Sequence, residues 1–380
     1  MRILLIGEYS RLHNSLKEGL QLLGHEVIII ANGDGFKDYP VDFSTKAKWC
    51  ESTFGTIFRK IIFKITKIDL IPIECGIRFY FHLHKLKQFD LVQLINEAPI
   101  QTTPSFERYL LKQIFKQNKN VYLLCCGVDY LVAKSLIERN ERYSIMNPYF
   151  ESKKKLKEYD YILDYLKSSH KKTHDLVYEK IKGVYASDID YVKPLISEVK
   201  YLGLIPNPIN IEKIKFIDLQ IDGKITIFLG INRGTYHTKG IIYFEKSLDI
   251  IKEKYKDKIE IIIAQNLPYN EYISLYNSSH IVLDQVFAFD QGYNALEAMA
   301  KGKVVFTGAE KEFEEYYNII ERVAINALPN IDYLVNELSF LIENPKEIIA
   351  IGKRARSFIE KEHDYINSAQ KFLEKKEAAI

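Results

Sequence analysis

RILLIGEYSRLHNSLKEGLQLLGHEVIII, residues 2–30, is the stretch whose reading decides the fold class. Residues 2–6 are an apolar run that stops at Gly7. A helical pattern from about His13 to Leu23 stops at Gly24, and residues 26–30 are apolar again. Strand, turn, helix, glycine stop and strand make a βαβ unit, which requires a parallel sheet. Strands of such a sheet are covered on both faces, so they read as unbroken apolar runs rather than as an alternation.

The same grammar continues outward. DLVQLI (90–95), VYLLCCG (121–127) and GVYA (183–186) read as further strands, with helices over 105–118 and 152–169. YLGLIPNPIN (201–210), with two prolines and two asparagines, reads as a linker. A second series follows: strands at 225–230, 259–264, 280–285 and 303–308, helices at 240–255, 269–279 and 295–302. Helices over 330–343 and 346–362 and a polar terminal helix close the chain. The expectation is an α/β protein of two Rossmann-like, doubly wound parallel-sheet domains facing a central cleft. They would cover 1–200 and 201–362, with 363–380 returning to the first domain. A chain of 380 residues suits two domains. Ligands of such sheets sit at the carboxyl ends of the strands.

Composition narrows the function. A net charge of +3 is too small to point to nucleic acid. Cys50, Cys75, Cys125 and Cys126 show no CxxC spacing, and reduced thiols are expected. The opening MRILLIGEYSRL has too short an apolar run for a signal peptide, so a cytoplasmic location is expected. His170 and His174 stand four positions apart, but HExxH is absent and no metal is expected.

Three stretches carry a family resemblance: FLGINRGTYHTKG (228–240), QNLPYNEYISLYNSSHIVLDQ (265–285) and FDQGYNALEAMAKGKVVFTG (289–308). In order and spacing they resemble the donor domain of a GT-B glycosyltransferase of the large retaining family 4. The first half resembles it only as a fold, through the turn after the first strand and GHEV at 24–27. The resemblance implies a metal-independent transferase with no cofactor beyond a nucleoside-diphosphate sugar donor. The acceptor it implies is a hydroxyl of a glycan or lipid-linked glycan in polysaccharide biosynthesis.

The residues are consistent with that chemistry. Breaking a sugar–phosphate bond adds negative charge to the leaving diphosphate, which calls for cations or backbone N–H groups aimed there. Arg233 and Lys239 follow a strand and precede a helix, where a fork and a point charge suit a phosphate. Solvated surface cations are the bland alternative. Gly292 opens a helix whose N-terminus suits an anion. The resemblance gives Glu297 the ribose and the loop Asn266, Leu267 and Pro268 the base. It departs at one place. The family's two glutamates eight residues apart have one counterpart, Glu297, while the other place holds Phe289 with Asp290 beside it. Either Asp290 serves the donor sugar from a shifted turn, or that role is missing. Glu8, Tyr9, Ser10 and His13 in the first turn, with Asn96, Glu97 and Asp129 after later strands, are acceptor or cleft candidates. Capping and loop solvation compete with that role.

Residues 46–87 stand apart. Nine basic residues face three acidic ones, interleaved with Trp49, Phe54, Phe58, Phe63, Phe79, Tyr80 and Phe81. Basic and aromatic residues on helical segments suit an anionic membrane surface. Ordinary surface helices are the alternative. Two rivals to the transferase remain: a GT-B sugar-nucleotide epimerase, and a noncatalytic subunit that binds the sugar nucleotide.

Overall fold

The computed structural model describes residues 1–265 and 269–377. Seven strands form the first sheet: β1 (Arg2–Ile6), β2 (Glu26–Ala31), β3 (Phe43–Ser44), β4 (Leu91–Leu94), β5 (Val121–Cys125), β6 (Gly183–Ala186) and β7 (Tyr201–Leu204). Their order is β3-β2-β1-β4-β5-β6-β7. Five form the second: β8 (Ile225–Ile231), β9 (Ile259–Gln265), β10 (Ile281–Leu283), β11 (Val304–Thr307) and β12 (Ile325–Asn326), in the order β12-β11-β10-β8-β9. Every pairing is parallel. The apolar runs are parallel strands because both faces are covered: β4, β5, β6 and β11 are buried along their whole length. Chain order reverses between β1 and β4 in one sheet and between β8 and β10 in the other. Those two switch points are where such sheets take ligands.

Two expectations are corrected. Tyr201–Leu204, read as linker, pairs with β6 as the seventh strand, so the first sheet runs past the boundary expected at residue 201. The helix expected over 152–169 is broken into a short turn at Lys157–Tyr159, a helix Asp160–Tyr165 and a new helix Ser168–Lys180. The break lets Glu158 leave the helical path and reach the second sheet's loops.

The chain crosses between the sheets twice, and the crossings pair. Ile209 donates its N–H to the His363 carbonyl at 2.7 Å, and Tyr365 donates to the Ile209 carbonyl at 3.2 Å. The last helix, Tyr365–Glu377, then packs on α1 (Leu12–Leu22). Contact is close enough to require glycine: a Cβ on Gly19 would stand 2.3 Å from the Tyr365 carbonyl oxygen. Near its end Lys376 is buried, donating to Gln93 at 3.1 Å against the rings of Tyr122 and Tyr185. Burial holds that amine well below its ordinary pKa.

Candidate active site

At the second switch point, β8 ends in a turn capped by Asn232, whose side chain accepts the Gly234 N–H at 2.9 Å. Arg233 stands exposed on that turn. Its guanidinium donates to Gln265 at 3.0 Å and lies 5.1 Å from the centre of the Tyr236 ring. Lys239 follows, just before the helix Ile241–Tyr255. Its ammonium donates to Asp284 at 2.8 Å. Asp284 is buried at the end of β10 and also accepts from Asn294 at 3.0 Å. Gly240 has a φ of 65°, and a Cβ there would come 2.9 Å from Val286. Only glycine lets the backbone pass under the loop after β10, which fixes the direction of Lys239.

Two residues that the sequence reading did not single out complete this corner. One is Asp284, readable only as the polar end of an apolar strand. The other is Glu158 from the first domain. It accepts the N–H groups of His237 and Thr238 at 3.1 and 2.8 Å, the His237 ring at 2.9 Å and the Thr238 hydroxyl at 2.8 Å. Burial pushes the Glu158 carboxyl up, but the bonds from Thr238 and His237 outweigh it and hold the group below its ordinary value.

Gly292 begins the helix Tyr293–Ala300 in extended geometry, and its position faces Gln285. Glu297 on that helix is half-buried. Burial raises its pKa, and Lys301, Arg11 and Lys37 pull it back. Arg11 and Lys37 belong to the first domain, so Glu297 looks across the cleft toward the start of α1. Asn266, Leu267 and Pro268 lie outside the described residues.

Phe289 and Asp290 are bound into the domain interface. Phe289 is buried, its ring centre 5.3 Å from that of Tyr143 and under the Arg142 guanidinium at 4.9 Å. Arg142 is anchored by Glu310 and Glu312 at 3.0 and 2.9 Å. Asp290 is the candidate for the donor-sugar contact if that role is kept. Its carboxylate instead accepts the N–H groups of Ile189 at 3.0 Å and Gln291 at 2.7 Å. Asp190 reciprocates from the first domain, accepting the N–H groups of Phe289 at 3.1 Å and Asp290 at 3.2 Å. Burial raises the pKa of both carboxyls. Beside them lies an interdomain cavity of about 540 Å³, walled by Tyr143, Tyr191, Phe287, Phe289 and Tyr316 and reaching Gly292 and Gln285. Asp188 lines it, with one buried carboxylate oxygen that has no hydrogen-bond partner among the described residues.

At the first switch point the turn after β1 takes left-handed backbone at Gly7, Ser10 and Arg11. A side chain at Gly7 would strike Ile95 at 2.3 Å. Ser10 and Arg11 hold that conformation without glycine, each at a cost of about 1–2 kcal/mol. Ser10 donates its N–H to Asp34 at 2.8 Å, and Arg11 pairs with Glu18 at 2.6 Å. Glu8 is buried, with one oxygen accepting two bonds from Asn14 and the other without a partner among the described residues. Its pKa is pushed up to about 7, chiefly by burial. Tyr9 and Asn96 meet at 3.1 Å.

The other first-domain candidates turn inward. His13 is a core residue: its Nδ1–H donates to the Gly7 carbonyl at 2.7 Å, and burial lowers its pKa to about 3, so it is neutral. Asp129 caps the helix Tyr130–Glu138, accepting the Val132 N–H at 2.9 Å. Glu97 lies 2.6 Å from His174, a partner the sequence did not suggest, and burial raises Glu97 to about 8. Among the described residues no three His, Cys, Asp or Glu side chains gather as a metal site.

Residues 237–374 match the family model described as glycosyl transferase-like. Sucrose-phosphate synthase from Thermosynechococcus elongatus superposes with a TM-score of 0.59, covering 98% of each chain at 14% identity. The chain has the GT-B fold. Anabaena HepE in complex with UDP and glucose gives a TM-score of 0.59 over 100% of both chains at 12% identity. UDP-GlcNAc 2-epimerase from Neisseria meningitidis bound to UDP-GlcNAc gives 0.52 over 99% of both at 14% identity. No curated protein matches the sequence. In this GT-B chain Glu297 of the second domain feels the charges of Arg11 and Lys37 of the first.

Proposed function

We propose that the protein is a retaining, metal-independent glycosyltransferase that moves a sugar from a nucleoside-diphosphate donor to a hydroxyl of a glycan or lipid-linked glycan. The observation that carries this reading is the corner built from Arg233, Lys239 and buried Asp284 at the switch point of the second sheet, where Lys239 and Asp284 belong to the glycosyl transferase-like segment and Arg233 lies four residues before it. Two cations held at strand ends offer charge where a departing diphosphate develops it. On this reading Arg233 and Lys239 stabilise the leaving group, the Gly292 helix start meets a phosphate, and Glu297 accepts the ribose hydroxyls. Asp290 acts as a positioning residue that holds the turn before Gly292 against the first domain. The acceptor takes the aromatic-walled cavity, whose tyrosine and phenylalanine rings suit the C–H faces of a sugar. UDP and UDP-sugars, held by HepE and by the Neisseria epimerase, are the first donors to try. On the same reading the chain works in the cytoplasm at the inner face of the membrane, in cell-surface polysaccharide biosynthesis.

The test is release of nucleoside diphosphate from UDP-glucose, GDP-mannose and ADP-glucose, with and without a lipid extract as the acceptor source. A transferase releases diphosphate faster when acceptor is present. A new sugar nucleotide formed without acceptor identifies an epimerase, and binding without turnover identifies a noncatalytic subunit. Either result overturns the proposal.

A further inference from the structure

Helix α2 (Thr53–Thr66) is amphipathic with its faces reversed. Phe54, Ile57, Phe58, Ile61 and Ile65 recur at the spacing of one helical face, and each is between 48% and 85% exposed. A helix of a globular protein turns such a face to the core. Here the opposite side meets the body. Gly55 is the helix's one buried residue, so close to the preceding turn that a Cβ would stand 1.8 Å from the Trp49 carbonyl oxygen. Arg59, also on that side, is held by Asp69 through two bonds of 2.7 and 2.8 Å. The polar side is fastened and the apolar side is left outward. The next helix, α3 (Leu70–His82), adds exposed Ile77, Tyr80 and Phe81. Of the 24 large apolar side chains exposed among the described residues, 11 fall between Trp49 and Phe81, which makes this a patch rather than scatter.

Charge selects the occupant. The acidic residues of the segment are largely consumed: Asp69 by Arg59 and Glu74 by Arg78. Lys48, Lys60, Lys64, Lys67 and Lys87 have no acidic partner among the described residues, which leaves a net positive rim around the apolar face. We propose that α2 lies in the surface of an anionic bilayer, its Phe54–Ile65 face among the acyl chains and its lysines at the headgroups. The geometry is that of an interfacial helix, and no described helix is long and apolar enough to cross a membrane. Contact of this kind needs no step of sugar transfer, so it stands or falls apart from the catalytic reading.

The full chain supplies its own probe, because Trp49 is its single tryptophan, half-exposed and 5.7 Å from the Phe58 ring. Purified protein is mixed with vesicles of phosphatidylcholine alone, or with phosphatidylglycerol added, and read by co-sedimentation and tryptophan emission with no sugar nucleotide present. The expected result is binding to the anionic vesicles, a blue shift of Trp49, and loss of binding in high salt. Phe58→Glu with Ile61→Glu should abolish binding while the thermal melt stays that of wild type. Lys60→Glu with Lys64→Glu should weaken it by more than tenfold, since each lysine at such a surface contributes roughly fivefold. Equal binding to neutral vesicles, no binding, or undiminished binding by the Phe58/Ile61 variant overturns the proposal. So does self-association in solution that the same variant abolishes while vesicles stay unbound, which would make the face a contact between copies.

Discussion

The ammonium of Lys239 lies 2.8 Å from the buried carboxylate of Asp284, joining the ends of two neighbouring strands, β8 and β10. The pair holds a cation at the point where chain order reverses and a ligand enters. Asp284 also binds Asn294 and, at 3.4 Å, Thr307, so its position does not depend on the lysine alone. Replacing Asp284 by Asn should therefore leave the fold intact while freeing Lys239 from its fixed direction. Turnover of the sugar nucleotide should fall by about tenfold or more, since misplacing a catalytic group is costly even when its charge survives. Steady-state kinetics on Asp284→Asn checks this. Wild-type turnover would mean that Lys239 does not need to be aimed.

Glu297→Gln separates binding from chemistry. Among the described residues no hydrogen bond ties the Glu297 side chain to the fold, and it feels Arg11 and Lys37 of the first domain. If it holds the ribose, affinity for UDP should fall by about fivefold to tenfold, because the amide keeps one acceptor oxygen but loses the charge that strengthens the bond. Calorimetric titration with UDP reads the change, and an unaltered affinity would remove Glu297 from the donor site.

Asp290→Asn tests the interface. An amide oxygen can still accept one backbone N–H, but the side chain can no longer accept from both Ile189 and Gln291 as a carboxylate does. Turnover should fall while UDP affinity stays near wild type. The same loss in both quantities would show a direct donor contact instead.

Much of the fold was legible in the sequence. Parallel strands advertise themselves as apolar runs, and glycines mark the ends of helices. β7 escaped because its glycine and the prolines after it read as a linker, and its strand character comes only from pairing with β6. The candidate cations were legible for the same reason: Arg233 and Lys239 follow a strand and precede a glycine that opens a helix. Their supports were not. Glu158 reaches residues 237–238 from the other domain, and Asp190 reaches Phe289, partners separated by about eighty to one hundred positions. Backbone N–H acceptance leaves no trace in residue type. Phe289 looked like a lost glutamate. Its ring instead packs against Tyr143 beneath Arg142, which gives the departure a structural use.

Burial of Glu8 makes stability depend on pH. Its folded pKa of about 7 stands above its unfolded value, because burial outweighs the bonds from Asn14. The folded state therefore holds a proton that the unfolded state has released. This contribution is complete below about pH 4.5 and is lost as pH rises through about 7. Between pH 5 and 8 the melting temperature of Glu8→Gln should fall less than that of wild type. Parallel curves for the two proteins would show that Glu8 is charged in the fold.

Tyr293 ties the domains together, its hydroxyl 2.7 Å from Ser15 and donating to the Pro208 carbonyl at 2.8 Å. Tyr293→Phe leaves both partners buried without it. The loss should be about 1–3 kcal/mol, read from the urea midpoint. A smaller shift would mean that water enters and replaces the hydroxyl.

The central claim is that Arg233 and Lys239 clamp a departing diphosphate. It is tested most directly by single-turnover release of nucleoside diphosphate from UDP-glucose, GDP-mannose and ADP-glucose by wild type, Arg233→Ala and Lys239→Ala. With at least one donor, each variant should be slower by roughly 10²–10³, the loss expected from one well-placed electrostatic donor. The melting temperature of Arg233→Ala should stay close to wild type, because Arg233 is exposed, while that of Lys239→Ala should fall, because buried Asp284 loses its cation. Release at wild-type rates in both variants, or no release from any of the three donors by wild type with acceptor present, would contradict the account.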